Sequence, residues 1–390
     1  MESDHPEQAV ARMVDAAART APGDVVGLLD LMCELLGAQF ARFYVADYSL
    51  RRLQQIDRGG NVGAPHPVAG TLVGRAFISR EPVVSGTDPT VVSIPLVEGT
   101  SRIGVLELDY HEWDGALPEH LDPVVTTFVT TWVLMSRYSD TAACARRSEP
   151  LAPAAEAQWD LLPPLSCSTD QVAVSGTLEP AYDIGGDSFD YACGALRLDF
   201  AIVDAIGNGL PAVLMSAAVI SSLRNSRRTG VDLTEAYQRA DRSIANQFGS
   251  SYFVTAIIGS LDLRSGTLTW VNAGHLLPML VRNGSYAGTL GCQPSRPLGL
   301  GGPVVEVAET VLQRGDRVLF YTDGISESRS SDGSFFGDHR LADFLVRAAL
   351  EEVPVQETLR RITESLIEFN DDGLRDDATM FLLEWRGASD

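Results

Sequence analysis

Aspartates recur beside apolar, strand-like runs in the C-terminal half of this 390-residue sequence. They are Asp187 and Asp190 in "GGDSFDY", Asp204 in "FAIVDA", Asp323 in "VLFYTDG", and Asp376 and Asp377 in "RDDATMFLLEW". A single aspartate in such a place usually caps a helix or starts a turn. Several of them in one half of the chain favour a shared site.

Clustered carboxylates without basic partners raise one another's pKa, and a divalent cation removes that cost. The motifs hold neither Cys nor His, so their oxygen ligands favour magnesium or manganese over zinc. Two such ions about 3.5 to 4 Å apart can lower the pKa of a water and direct the hydroxide at a phosphorus. The pattern therefore predicts phosphoester hydrolysis, and the chain has no Ser-His-Asp or Cys-Arg signature of a protein nucleophile.

Length, composition and charge limit the number of domains and the classes of partner to be expected for this chain. A chain of 390 residues with 45% hydrophobic residues is long enough for two domains, each with its own core. The formal net charge of -22 repels phosphate backbones and anionic lipid, which excludes nucleic acid as an expected partner. The five cysteines are scattered and predict reduced thiols. No basic, apolar leader and no run long enough to span a membrane is found, so we expect a cytoplasmic protein.

The first part of the chain is predicted to be a tail at 1–20 followed by a small α+β domain at 21–138. Two strands form a hairpin around Glu98 and Gly99, and apolar residues from Leu121 to Met135 recur at helical spacing. The segments "TLVGRAFISREPVVSG" and "IPLVEGTSRIGVLEL" resemble a GAF domain. That resemblance implies an α+β sandwich with a sensory role, which binds a small molecule or dimerises. Cys33 is interpreted as a core residue, the alternative being a chromophore thioether.

Residues 139–160, "SDTAACARRSEPLAPAAEAQWD", are rich in Ala, Pro and charge. They predict either a passive tether or a helix that couples the two domains through a homodimer.

Residues 161–390 alternate β-branched strand candidates with groups of helices, which predicts an α+β domain of packed sheets covered by helices. Its motifs also resemble, in order, those of the bacterial SpoIIE-type phosphatases. These are a branch of the metal-dependent PPM, or type 2C, protein phosphatases. The matching segments are "EPAYDIGGDSFDY", "FAIVDAIGNGLPAVLMSA", "WVNAGHLLPML", "GDRVLFYTDGISES" and "DDATMFLLEW". The resemblance implies an α-β-β-α sandwich and two Mn²⁺ or Mg²⁺ ions.

The resemblance also implies roles for individual residues. Asp204 would bridge both metals, and the backbone carbonyl of Ala205 would be a further ligand. Asp187, Asp323 and Asp376 would complete the catalytic metal site, with Asp377 as the adjacent alternative to Asp376. Supporting roles fall to Asp190, to His275, and to glycines that let the backbone pass close to the metals, namely Gly185, Gly186 and Gly324.

Two positions leave the mechanism open. Relatives in eukaryotes have a His, a proposed general acid, where this chain has Ile206, so no leaving-group acid is identified. His275 in "NAGH" either reaches the site or is a hydrogen-bonded structural residue.

The expected function is a serine/threonine protein phosphatase controlled by its GAF-like domain. The resemblance implies a phosphorylated anti-sigma-factor antagonist as substrate and partner. The alternatives are a non-catalytic sensor or scaffold with a phosphatase-like fold, and a small-molecule phosphatase with the same metal chemistry.

Overall fold

The computed structural model of the chain describes residues 6–86, 89–113, 115–180, 182, 185–249, 251–302, 305–370, 374 and 376–388. The chain divides into two compact units, Met1–Pro150 and Leu151–Asp390. In the described ranges, no helix has both the length and the apolar character needed to cross a membrane.

The first unit consists of helices around one antiparallel sheet. Its helices are α1 (Pro6–Arg19), a 3₁₀ helix (Pro22–Gly27), α2 (Leu28–Leu36), α3 (Leu72–Ser79), α4 (Leu121–Met135) and α5 (Thr141–Ala145). Its strands are β1 (Phe40–Ala46), β2 (Arg52–Ile56), β3 (Val62–Pro67), β4 (Val83–Ser85), β5 (Thr90–Glu98) and β6 (Ser101–Tyr110). Among the described residues the strand order is β3-β2-β1-β6-β5-β4.

Both faces of this sheet are covered, because side chains along each strand alternate between them. On β1, Phe43 packs in the core beneath α1, α2 and α4, whereas Tyr44 faces the smaller cluster that contains Phe77 of α3. The predicted hairpin around Glu98 and Gly99 is present, with Glu98 paired to Ser101. The unit is thus α+β, as the sequence predicted.

Helix α1 occupies residues that the sequence had suggested would be a tail. Ala9, Met13 and Ala17 lie four residues apart on one face of α1 and are buried in the core of the unit. That spacing is the signature of an amphipathic helix, which its low mean hydropathy concealed.

The stretch 139–160 is not extended, and each of its helices packs within its own unit. At the end of α5 the Ala145 carbonyl accepts from Gln54 at 2.9 Å, and the Arg146 carbonyl accepts from the Tyr48 N–H at 3.2 Å. The next helix, α6 (Pro153–Leu161), packs on the helix Gly209–Thr229 of the second unit. Whether this stretch couples the units remains a prediction.

The second unit has longer helices and two sheets. The helices that follow α6 are α7 (Gly209–Thr229), α8 (Leu233–Phe248), α9 (Asp323–Ser326), α10 (Gly337–Leu350) and α11 (Val355–Phe369). The strands are β7 (Ser166–Ser168), β8 (Val172–Glu179), β9 (Ser188–Cys193), β10 (Arg197–Ala205), β11 (Val254–Asp262), β12 (Thr267–Ala273), β13 (Met279–Arg282), β14 (Ser285–Thr289), β15 (Val307–Val311), β16 (Arg317–Tyr321) and β17 (Ala378–Trp385).

These elements form four layers. In the described residues, sheet I has the order β15-β12-β11-β10-β9 and sheet II the order β14-β13-β16-β17-β8-β7. An apolar core that includes Phe200, Phe320 and Phe381 lies between the sheets. Helices α7 and α8 cover the outer face of sheet I, and α10 and α11 cover that of sheet II. The layers are therefore α-β-β-α, and the predicted α+β class is confirmed for this unit as well.

Candidate active site

The inward-facing rows of side chains in both sheets change from apolar to polar at one edge of the sandwich. On β10, for example, Leu198, Phe200 and Ile202 are in the core between the sheets, and Asp204 is the next residue with the same parity. On β16 the same row runs through Val318 and Phe320. We call the residues that continue these rows the polar edge: Asp187, Asp204, Thr255, Asn272, Thr322, Asp377 and Thr379.

Strand pairing brings these residues together from distant parts of the sequence. In sheet I, β9 begins beside the end of β10, with Ser188 paired to Val203. In sheet II, β17 begins beside the end of β16, with Met380 paired to Tyr321. The aspartates that flank these four strand ends therefore lie at the same edge of their sheets.

A threonine joins the two sheets directly at this edge. The hydroxyl of Thr322 donates to Oδ2 of Asp187 at 2.6 Å and accepts from the backbone N–H of Thr379 at 2.9 Å. Both threonines are fully buried, and Asp187 is 2% exposed. The Asp187 carboxylate is therefore held in a defined position against sheet II.

Asp377 holds the loop that carries Asp187. Its Oδ1 accepts from the Gly185 N–H at 2.8 Å and its Oδ2 from the Asp187 N–H at 3.2 Å. Asp376, the residue before it, is exposed, and its Oδ1 accepts from the Asp377 N–H at 2.9 Å. The Asp377 carboxylate is thus engaged with the backbone of the Gly185 loop, whereas the side chain of Asp376 is exposed.

Glycines permit the close approach of these segments. A Cβ on Gly185 would lie 2.4 Å from Oδ2 of Asp377, and a Cβ on Gly186 would lie 2.6 Å from the carbonyl oxygen of Ala205. A Cβ on Gly324 would lie 1.8 Å from the carbonyl oxygen of Asp377. A side chain at Gly186 or Gly324 would require backbone movement, and one at Gly185 would displace the Asp377 carboxylate.

The carboxylates of the edge are electrostatically unfavourable to one another. Burial raises the pKa of Asp187 well above its usual value, and the charges of Asp204 and Asp377 raise it further. Burial, followed by Asp323, Asp376 and Asp377, raises the pKa of Asp204 to about 7. Burial and Asp376 also raise the pKa of Asp323. Burial and the neighbouring acids are the largest causes that raise these pKa values, and no basic side chain of the described residues is among the largest contributions.

The carboxylates at this edge are suitable ligands for a hard divalent cation. Their donor atoms are all oxygen, and their negative charges repel one another, a cost that a bound cation removes. In the described ranges, no three His, Cys, Asp or Glu side chains are gathered closely enough to hold an ion as they stand.

Asp190 has a different environment from Asp187, although both belong to the same short motif. Its Oδ1 accepts from Arg224 at 2.7 Å and its Oδ2 from Arg227 at 3.0 Å, and its carboxylate is 2% exposed. Arg224 also donates to the Leu161 carbonyl at 2.7 Å. Asp190 thus attaches α7 and the end of α6 to β9, and the supporting role at the metals that the sequence suggested does not match this position.

We expect Asp190→Ala to reduce stability rather than chemistry. Removing one partner of a buried ion pair leaves Arg224 and Arg227 without their acceptor and costs about 3 kcal/mol. Urea unfolding measures this loss, while turnover at low temperature stays comparable to that of the unaltered protein. Asp199→Asn, which breaks a surface pair with Arg197, is the matched control. A loss of metal affinity without a loss of stability would contradict this assignment.

His275 lies at the polar edge but does not present a free ring nitrogen to the site. It is 9% exposed, Nδ1 lies 2.8 Å from Oγ1 of Thr255, and Nε2 lies 3.1 Å from the carbonyl oxygen of Tyr321. The structural alternative is therefore the one that the contacts support. Ile206, where some relatives have a histidine, is 40% exposed.

Sequence patterns alone assign no role to the polar residues that organise the carboxylates, namely Thr255, Asn272, Thr322 and Thr379. A signal was available, because each of these residues continues a row of apolar side chains two positions apart. A buried polar residue at the end of such a row needs a partner.

Comparison with known proteins finds one family model that matches part of this chain. The model of the family "Stage II sporulation protein E (SpoIIE)" matches residues 195–386. The matched range contains Asp204, Asp323 and Asp376, and it begins after Asp187.

Two curated relatives and one solved structure show the extent of the similarity. Phosphoserine phosphatase RsbU of Bacillus subtilis is 23% identical over 245 residues, which are 59% of this chain and 68% of that protein. Protein IcfG of Synechocystis is 24% identical over 255 residues, which are 55% of this chain and only 39% of that protein. The SiaA-PP2C domain of Pseudomonas aeruginosa is 20% identical, with a TM-score of 0.50, and the match covers 60% of this chain and 94% of that domain. This likeness shows the type 2C fold, and the match with the SpoIIE family model together with the similarity to RsbU supports a PPM-type protein serine/threonine phosphatase.

Proposed function

We propose that this chain hydrolyses phosphoserine or phosphothreonine in a protein substrate, with two Mn²⁺ or Mg²⁺ ions held by Asp187, Asp204, Asp323 and Asp376. The observation that carries the proposal is the convergence of these aspartates at one edge of two sheets, where burial and mutual repulsion raise the pKa of Asp204 to about 7. A fold that only needed stability would not place acids there without basic partners.

The residues of the chain have distinct roles in this proposal. Asp204 and the backbone carbonyl of Ala205 would help to hold the ions. Gly186 leaves room beside the Ala205 carbonyl, because a Cβ there would lie 2.6 Å from its oxygen. Thr322 fixes the orientation of Asp187 through its 2.6 Å hydrogen bond. Bound ions would supply the charge that offsets these carboxylates and lowers the pKa of the attacking water.

The leaving group receives its proton from a group other than His275, since both ring nitrogens of His275 are engaged within the protein. A water molecule is the proposed donor, because Ile206 occupies the position of the acid in some relatives.

The proposed substrate is a phosphorylated anti-sigma-factor antagonist, whose dephosphorylation would free a sigma factor. The support is the family match together with the similarity to a phosphoserine phosphatase, RsbU.

The test is p-nitrophenyl phosphate hydrolysis with manganese, with magnesium and with a chelator, followed by a comparison of substrates. We expect turnover that requires the metal and higher kcat/KM on a phosphoserine protein than on free phosphoserine or nucleotides, because a protein contributes remote binding energy. Equal kcat/KM on free phosphoserine would favour the small-molecule phosphatase. Metal binding without turnover on any phosphoester would favour the scaffold.

The first unit is proposed as a GAF-like regulatory domain that binds a small molecule and supports a homodimer. A cleft lined by Leu36, Tyr110, Trp113 and Leu117 is a candidate binding place for that ligand. Light scattering at micromolar concentration tests the dimer, and a monomer would contradict it.

A further inference from the structure

A buried imidazole connects the two sheets at the polar edge. His275 follows β12 and lies 20 residues from Thr255 and 46 from Tyr321 in the sequence. Thr255 belongs to β11 of sheet I, and Tyr321 ends β16 of sheet II. One side chain therefore contacts the strand ends of both sheets.

The chemistry of the partners determines the protonation of the ring. The Tyr321 carbonyl can only accept, so Nε2 must carry the proton, and Nδ1 of a neutral ring then accepts from the Thr255 hydroxyl. Burial lowers the pKa of His275 to about 4, which agrees with a neutral ring at physiological pH. The ring is therefore a donor at one end and an acceptor at the other.

The backbone of His275 is held as firmly as its ring. Asn272 accepts from the His275 N–H at 2.7 Å and donates to the His275 carbonyl at 2.9 Å. Asn272 is 1% exposed and belongs to the inward row of β12. A side chain supported at both its backbone and its ring can fix a distance between the groups that it contacts.

Those groups are direct neighbours of two proposed metal ligands. Thr255 is the cross-strand partner of Asp204. Tyr321 precedes Asp323 by two residues, and its strand is paired with β13 only as far as Leu319. His275 thus supplies a donor to the Tyr321 carbonyl beyond the end of that strand pairing.

We propose that His275 is a positioning residue: by linking Thr255 to the Tyr321 carbonyl, it sets the separation between Asp204 and Asp323. The inference rests on the proposed function, in which these two aspartates share the metal site. His275 touches neither the substrate nor the metals, and it acts through the strand ends that carry their ligands.

The test compares His275→Ala, Thr255→Val and Thr255→Ser in the full chain. His275→Ala is expected to lower kcat on p-nitrophenyl phosphate about 100-fold with little change in KM, because small misplacements of catalytic groups have effects of that size. Calorimetry with manganese alone should show about tenfold weaker binding, as for other residues that orient metal ligands. Thr255→Val should lower kcat and the affinity for manganese by about tenfold each. Thr255→Ser should restore both quantities because it keeps the hydroxyl.

Asp316→Asn is the matched control for lost stability. Asp316 is buried, accepts from Arg282 at 2.5 Å and precedes β16 at the end of the strand opposite to Asp323. This variant should lose thermal stability while it keeps its manganese affinity and kcat at low temperature. If Asp316→Asn lost manganese affinity and kcat as His275→Ala does, the positioning role would be overturned. It would also be overturned if His275→Ala and Thr255→Val kept their manganese affinity and kcat.

Nitrogen NMR of the His275 ring gives a readout that does not depend on turnover. The proposal requires a neutral ring with its proton on Nε2 at neutral pH, and a proton on Nδ1 or a charged ring would refute it. If the unaltered protein bound manganese but hydrolysed no phosphoester, the proposed function would fail, while manganese calorimetry and the NMR signature would still decide the role of His275.

Discussion

Asp204→Asn should abolish most of the phosphatase activity and at the same time stabilise the metal-free protein. Loss of a preorganised charged group at the reacting centre lowers kcat by about a hundred- to a thousandfold. The metal-free protein gains stability because a buried carboxylate that is repelled by Asp323, Asp376 and Asp377 has become neutral. Kinetics with p-nitrophenyl phosphate and thermal unfolding with and without manganese measure the two effects.

The opposite signs make this prediction specific to a ligand of the metals. Manganese should raise the unfolding temperature of the unaltered protein and leave that of Asp204→Asn almost unchanged. Asp262→Asn is the matched control, because Asp262 accepts from backbone N–H groups of Arg264 and Ser265 at the far end of β11. Its turnover should equal that of the unaltered chain. A destabilised but active Asp204→Asn would show that Asp204 is structural.

Gly324→Ala adds one methyl group and should lower both the stability of the second unit and its phosphatase activity. The added Cβ would lie 1.8 Å from the carbonyl oxygen of Asp377, so one of the two backbone segments must move. Overpacking of this kind costs about 1–3 kcal/mol. The movement displaces Asp323 and Asp376 relative to each other, and a shift of about 1 Å is enough for a hundredfold loss of kcat. Urea unfolding and steady-state kinetics measure the two losses.

Gly291→Ala provides the corresponding control. A Cβ on Gly291 would meet nothing within 4 Å. We expect its stability to stay within about 0.5 kcal/mol of the unaltered protein, as for most surface substitutions. If Gly324→Ala were equally harmless, the close approach of the "TDG" turn to Asp377 would not be required for the site.

Local sequence patterns determined the fold class and most of the candidate ligands. Alternation of apolar residues along β10 and β16 makes them strands with one face in a core, and the same alternation places Asp204 and Thr322 on that face. The motifs follow one another in the order that is typical of SpoIIE-type phosphatases, and that order was sufficient to suggest the resemblance. Helix α1 was missed because most of its apolar residues are alanines, which give a weak hydrophobic signal.

The tertiary structure decided which polar residues serve the site. Asp187 and Asp190 are three residues apart in one motif, but they face opposite sides of β9, so Asp187 contacts Thr322 and Asp190 contacts Arg224 of α7. The different surroundings of Asp376 and Asp377 likewise come from tertiary contacts, since Asp377 accepts from the Gly185 N–H, 192 residues away. The partners of His275 also come from other strands. Periodicity in the sequence indicates which face of a helix or strand a residue occupies. Hydrogen bonds and ion pairs depend on which helices and strands are in contact, and the packing of the two sheets and their helices determines those contacts.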